Sequence, residues 1–468
     1  MLIFILSVIL LILGYLIYGL FVEKILGISE KNETPAITKA DGIDFVPLHP
    51  TKIFLIQFLN IAGVGPVFGA ILGALYGPVC LIWIVLGSIF AGAVHDMLSG
   101  VISLRSQGQT MTFFVKRFFG SGFYSVFSVL LVLLLILVGS IFAQIPASIL
   151  SSQTGLSFGI WLAIIFTYYF LATLLPIDKI IGRFYPIFAS CLIISTVLLL
   201  TVLFTKNMVF YPDLTVLNQN PNNVPIFPLM FITIACGAIS GFHATQSPLM
   251  ARCVTNEKYA RPIFYGAMIL EGCIALIWAT LGIAFYNGTS GLNAALGSAG
   301  EPGAVVSEIS TALLGKVGGI LTLLSIIALT ITSGDTALRS ARLSTADIIK
   351  TDQQKISNRL ILTTAILGIS ILLAFIDLNK IWLYFGWSNQ MLATIMLWTG
   401  TFYLYERKKN FWISLLPALF MTSVCLTYVA YAKIFLNWNI VNSRYFGILG
   451  TVILSVLLYF KIKKIKHN

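Results

Sequence analysis

The sequence predicts an all-α polytopic membrane protein of about 13 transmembrane helices, built around a five-plus-five inverted repeat in which helices 2 and 7 are broken. Three observations predict it. Of 468 residues, 58% are hydrophobic and 10% charged, with a mean hydropathy of +0.95, outside the range of soluble domains. Apolar runs long enough to cross a hydrocarbon core of ~30 Å recur from one end to the other. Two of those runs, five helices apart, are interrupted by glycine, proline and polar residues.

The first twenty residues, MLIFILSVILLILGYLIYGL, carry no Lys or Arg and no small-x-small cleavage pattern, so they read as a first span rather than a signal peptide. Further runs lie near 51–76, 78–103, 123–150, 157–177, 184–205, 226–250, 260–286, 316–338, 357–376, 381–404, 411–431 and 445–462, which with 2–21 gives thirteen. Residues 22–50 form a polar connection and 206–224 a turn-rich one. Residues 287–303 read as a Gly/Ser-rich loop leading into 304–314, a segment too short to span. The predicted division is 1–50, a first helix and loop; 51–205 and 226–404, the two repeats; and 411–468, two extra helices and a basic tail.

With the N-terminus outside, only Lys206, Lys316, Lys380, Lys433 and Arg444 of the 29 lysines and arginines fall on the outer side. The positive-inside rule therefore puts the C-terminus in the cytoplasm. The formal charge of +12 reports this topology and contact with anionic lipids rather than nucleic acid binding. The six cysteines show no CxxC pair, which argues against a zinc site or a disulfide framework and for packing roles. No HExxH, GxSxG or nucleotide-binding motif is present, so an enzyme or a primary pump is not the expected reading.

The first interruption is Asn60-Ile61-Ala62-Gly63-Val64-Gly65-Pro66, and the second crowds Gly237, Ser240, Gly241, His243, Gln246, Ser247 and Pro248 into span 7. A broken helix exposes N–H and C=O groups near the midplane, where they can hold an ion or a charged substrate. Gly63 and Gly65 permit unwinding, and Pro66 suits the first turn of a restarted helix. Close packing is the other use of such glycines, and Gly65, Gly69 and Gly73 have that spacing. Because five is odd, spans 2–6 and 7–11 start on opposite sides of the membrane, as an in-plane pseudo-two-fold requires.

Five segments carry a family resemblance: NIAGVGPVFGAILGALYGP (60–78), AGAVHDMLSGVISLRSQGQT (91–110), FPLMFITIACGAISGFHA (227–244), YGAMILEGCIAL (265–276) and GWSNQMLA (386–393). Together they resemble the carbon starvation protein A family over roughly residues 46–395. The resemblance implies inner-membrane transporters of peptides or pyruvate, tied to carbon starvation, with the LeuT-like fold of the amino acid/polyamine/organocation superfamily. The chain departs from it at Ile56-Gln57, where family members carry a histidine pair, and in having fewer spans after the second repeat.

Candidate site residues follow from position. Asp96, Glu271 and Asp335 are carboxylates inside spans, functional candidates by default. Glu271, about eleven residues or ~16 Å into its span, falls near the midplane and could bind and release a proton during transport, or make a static hydrogen bond. His95-Asp96 could relay protons, form an inner gate or pair with a cytoplasmic arginine. Asn60, Gly63, Gly65, Ser240, Gly241 and His243 are the expected substrate contacts, with Asn389 and Gln390 either lining the pathway or joining helices. Thr332 and Ser333 stand where the eighth helix of such a fold gives hydroxyls to sodium, with carbonyls near Ala62; back-bonding to their own helix is the alternative.

No cofactor is expected beyond a coupling ion, H⁺ or Na⁺, with the proton favoured. The partners expected are a small-molecule substrate and the bilayer, and the sequence sets no oligomeric state. A channel would show a continuous pore or a repeated filter, and neither is visible.

Overall fold

The computed structural model describes residues 2–174, 181–206, 208, 218–299, 302–353, 355–376 and 378–464. Lys179, most of the 206–224 connection and the end of the basic tail lie outside them. Among the described residues every regular element is helical, as expected where each backbone polar group must be satisfied inside its own segment.

The helices are α1 (Leu2–Leu26), α2 (Pro50–Ala62), α3 (Gly65–Ala74), α4 (Val79–Arg105), α5 (Met111–Thr154), α6 (Phe158–Leu174), α7 (Ile181–Thr205), α8 (His243–Ala251), α9 (Glu257–Phe285), α10 (Thr289–Ala299), α11 (Pro302–Ile349), α12 (Ile356–Leu373), α13 (Leu378–Glu406), α14 (Trp412–Tyr431) and α15 (Ile440–Ile462). Local chemistry sets many ends. Pro50 occupies the first turn of α2 after an extended His49. Left-handed glycines, Gly27 at φ +63° and Gly155 at φ +74°, close α1 and α5. At the start of α15 the Asn439 side chain accepts the Asn442 N–H.

Among the described residues nine helices are long and apolar enough to cross a membrane, ten if the pair α2/α3, bent by 55°, is one span. The other expected spans differ in kind. The 17 residues of α6 are short. The stretch 226–251 is split, and α13 carries Ser388, Asn389 and Gln390 near its middle. The expected loop 287–303 is itself largely helical, as α10. The long helices α5 and α11 each contain one extended residue, Gly120 (φ +81°, ψ 173°) and Gly315 (φ +70°, ψ 179°), which bends a leading arm away from the membrane-spanning part.

Buried polar residues concentrate where α2, α4, α8, α9 and α11 meet, whereas α1 and α15 turn rows of leucine, isoleucine and valine outward. With polar side chains inside and apolar ones outside, this is a multi-pass membrane protein.

Candidate functional site

The first break is a 55° bend made at Gly63-Val64. Gly63 has φ +47° and ψ −150°, a conformation in which a side chain is strained. Ending α2 at Ala62 orphans its last carbonyls, those of Leu59 to Ala62. Two side chains from other helices meet them. Ser333 Oγ of α11 lies 3.2 Å from the Leu59 carbonyl and 3.3 Å from that of Asn60. His243 Nε2, at the start of α8, lies 3.1 Å from the Ile61 carbonyl.

The second break is longer. Helical backbone stops at Thr233 and resumes at His243, leaving 234–242 irregular. Asn389 of α13 holds this stretch: its Oδ1 accepts from the Phe242 N–H at 2.8 Å, its side chain bonds the Ser240 hydroxyl, and its carbonyl accepts the Gly241 N–H at 3.1 Å. The two breaks touch. A Cβ on Gly65 would lie 1.9 Å from Cys236 Cβ, and one on Gly237 would meet Ala275 at 2.7 Å.

Beside them four ionisable side chains converge. Asp96 Oδ1 accepts from His95 Nδ1 at 2.8 Å, and its Oδ2 lies 3.0 Å from His243 Nδ1. His243 Nε2, besides facing the Ile61 carbonyl, is 3.6 Å from Glu271 Oε2. All four are 0% exposed. Around them are buried polar atoms without a hydrogen-bond partner among the described residues: both side-chain atoms of Asn60, both oxygens of Glu271, His95 Nε2, and the amide oxygens of Gln57 and Gln246. Gln57 gives its Nε2 to Ser247 at 3.0 Å. Unpartnered polar groups at such depth are costly to keep in a static core.

The hydrogen-bond count at His243 constrains its protons. A carbonyl can only accept, so Nε2 must carry hydrogen to bond Ile61. Nδ1 then either carries a second hydrogen or accepts one from Asp96. In both cases the Asp96–His243 pair holds one proton more than a neutral ring beside a carboxylate. Glu271 competes with the Ile61 carbonyl for the same Nε2 hydrogen.

The sequence profile described as Carbon starvation protein CstA matches residues 1–158, 122–308 and 304–428. The chain belongs to the carbon starvation protein CstA family. An uncharacterized membrane protein of Haemophilus influenzae is 44% identical over 349 residues, covering 63% of this chain and 94% of that one. The Peptide transporter CstA of Campylobacter jejuni is 28% identical over 337 residues, 57% of this chain and 47% of that one. The Pyruvate/proton symporter BtsT of Escherichia coli is 24% identical over 578 residues, 91% and 80%. This chain thus spans about half the length of the peptide transporter it matches. In fold it is similar to MhsT, solved with L-phenylalanine (TM-score 0.58, 14% identity, 89% of this chain and 99% of that one), and to a manganese transporter of Eremococcus coleocola (0.56, 14%, 91% and 99%). The named relatives of this CstA-family chain are transporters rather than enzymes.

Several of the expected site residues gather in one place: Asn60, Gly63, His95, Asp96, His243, Glu271 and Ser333 all adjoin the first break. Asp96 pairs with His95 and His243 rather than with an arginine among the described residues; Arg105 instead binds Glu257, with hydrogen bonds to the Leu26 and Gly27 carbonyls. Thr332 turns its hydroxyl back to Leu329 at 2.9 Å, while Ser333 alone of the pair reaches α2. Asp335 sits apart, held by the Tyr185 hydroxyl at 2.7 Å. Ser240, Gly241 and Asn389 bond one another, and Gln390 donates to the Phe231 carbonyl at 2.9 Å. Tyr185 had no signal in the sequence, being one of many apolar-span tyrosines. Gln57 had one, an amide three residues ahead of Asn60 in an apolar helix.

Proposed function

We propose that this CstA-family chain is a secondary active transporter of the cytoplasmic membrane, importing a small carboxylate such as pyruvate, or a short peptide, together with a proton. In this reading the N-terminus is outside and the C-terminus inside. Spans from 51–205 and 226–404 form the two inverted repeats, a division supported by the matched arms that Gly120 and Gly315 bend away from the fourth and ninth spans.

The observation that carries the reading is His243, with an acceptor on each ring nitrogen and Glu271 beside it. A proton on the Asp96–His243 pair lets Nε2 tie the Ile61 carbonyl, fixing the end of α2. When Glu271 takes that hydrogen, or the ring loses it, the Ile61 carbonyl is released. Proton occupancy and the shape of the break are then one equilibrium. The free amide of Asn60 and the free amide oxygens of Gln57 and Gln246 are placed to receive substrate donors and acceptors, and the restarted helix α8 offers its positive end to a carboxylate.

A second reading rests on a different observation. Ser333 Oγ and the carbonyls of Leu59 and Asn60 are hard oxygens of the kind sodium takes, which would make the chain a sodium-coupled symporter of amino acids or peptides. Uptake of labelled pyruvate and of short peptides into proteoliposomes, with proton and sodium gradients imposed separately, decides between them. Proton-driven, sodium-independent accumulation supports the first; accumulation driven by sodium at constant pH refutes it. Currents that fail to saturate with substrate would point to a channel instead.

A further inference from the structure

The loop between α1 and α2 reaches back into the helix bundle. Asp41 Oδ1 accepts the N–H groups of Ile43, Asp44 and Phe45 at 2.8 to 2.9 Å, and the Asp41 N–H bonds the Phe45 carbonyl. This tight turn, with Gly42 at φ +68°, aims Asp44 inward. The Leu48 N–H then docks on the Cys253 carbonyl, just past the end of α8. Asp44 Oδ1 ends 3.5 Å from Arg339 Nη1 and 3.9 Å from Arg342 Nη2. Arg252, stacked on Phe45 at 5.0 Å, and Arg359 add their charge to the same carboxylate.

All four arginines are buried or nearly so, Arg342 completely. Other carboxylates on α11 face this group: Asp347 bonds Thr110, and Asp335 gives one oxygen to Tyr185 while its other oxygen has no hydrogen-bond partner among the described residues and feels the charge of Arg339 and Arg342. Arg342 gives Nη1 to Gln353, while its Nε and Nη2 have no hydrogen-bond acceptor among the described residues. Those two atoms form the edge of a guanidinium that grips a carboxylate through two parallel N–H bonds. Asp44 stands off that edge at 3.9 Å and does not fill it. Arg342 lies nine residues beyond Ser333 on α11, roughly 14 Å along the helix, toward the face the charge asymmetry assigns to the cytoplasm.

We propose that this arginine cluster is a binding station for a small carboxylate anion, and that Asp44 sits in it as a tethered internal carboxylate which the anion displaces. The proposal deepens the transport reading, on which it rests for the anion's role as cargo. Displacing Asp44 frees the loop 41–48 from α8 and α11, so an arriving or departing anion opens its own passage. A carboxylate tethered by a short loop competes at an effective concentration of ~mM, which sets millimolar half-saturation for the free anion.

The test is hydrogen exchange of segment 41–48 in the full chain, reconstituted in lipid nanodiscs, with pyruvate, its amide, or chloride at equal ionic strength. Pyruvate should speed exchange of this segment about tenfold, and the amide and chloride should not. Asp44→Asn should exchange fast without ligand and show no further rise with pyruvate; Asp41→Ala, which loosens the turn but keeps the Asp44 charge, should keep a pyruvate response with a lower concentration for half-saturation. Arg342→Gln should abolish the response. Exchange at 41–48 indifferent to pyruvate, or equal effects of chloride, would overturn the station. Glu271→Gln separates the two readings: it should remove proton-driven accumulation and leave this response intact. A response without any wild-type accumulation would sink the transport reading alone.

Discussion

If one proton is held between Asp96 and His243 and passes to Glu271, one proton should move with each substrate. A pH difference of one unit is worth ~1.36 kcal/mol per proton, so an inward gradient of one unit should concentrate substrate about tenfold at equilibrium. For a monovalent carboxylate the cycle is electroneutral, and a membrane potential alone should drive no accumulation. Glu271→Gln keeps the side chain's size but removes its capacity to take the His243 hydrogen. The variant should lose gradient-driven accumulation altogether, while still exchanging labelled for unlabelled substrate across the bilayer, because the break and its amides are unchanged. The assay is equilibrium uptake of labelled pyruvate into proteoliposomes at several imposed pH differences, with counterflow measured on the same vesicles. A wild-type slope near a hundredfold per unit would mean two protons and refute the single-proton count. Full accumulation by Glu271→Gln would remove Glu271 from the coupling path.

Gly65→Leu would drive a side chain into Cys236, overpacking where the two breaks cross, at a cost of about 1–3 kcal/mol or more; the yield of monodisperse protein in size-exclusion chromatography should fall, and a normal profile would contradict the contact. Ser333→Ala leaves the Leu59 and Asn60 carbonyls without their donor, costing about 1 kcal/mol. It should leave half-maximal proton-driven uptake unchanged, whereas a raised sodium requirement would favour the sodium reading. Burial pushes the Asp44 carboxyl up, but Arg339, Arg342, Arg252 and Arg359 outweigh it and hold it below the usual value of 3.8. Its folded value being depressed, its contribution is fully present above the usual carboxylate value and is lost as pH falls through the folded one. Protection of segment 41–48 in hydrogen exchange should therefore persist at pH 5 and fail only below about pH 4; loss of protection at pH 5 to 6 would contradict it.

The breaks were legible because glycine, proline and amides inside apolar runs are visible to local periodicity. Gly63 carries the left-handed residue, and the polar crowd of span 7 straddles the irregular stretch. What reading along the chain missed depends on pairing across it. His243 finds Asp96 at a separation of 147 residues, and Asp44 finds Arg339 at 295. Ser333 and Thr332 are alike in sequence, yet only one faces α2, because neighbours on a helix are turned 100° apart. The arm before Gly315 was legible as a short segment, but nothing in 287–299 marked the 11-residue helix that forms there. The family motifs brought the right residues to notice; they did not say which polar atoms would already be occupied.

Asn389 grips the irregular stretch of span 7 through Phe242, Ser240 and Gly241 at once, so α13 cannot stay still while that stretch moves. On its other side α13 is bolted to α14: Trp398 Nε1 donates to the Thr422 hydroxyl at 3.0 Å, and the Ser414 hydroxyl to the Leu397 carbonyl at 2.6 Å. Motion of the second break is thus geared through one amide to α14. A spectroscopic label on the outward face of α14, some distance from any substrate, would report the working stroke.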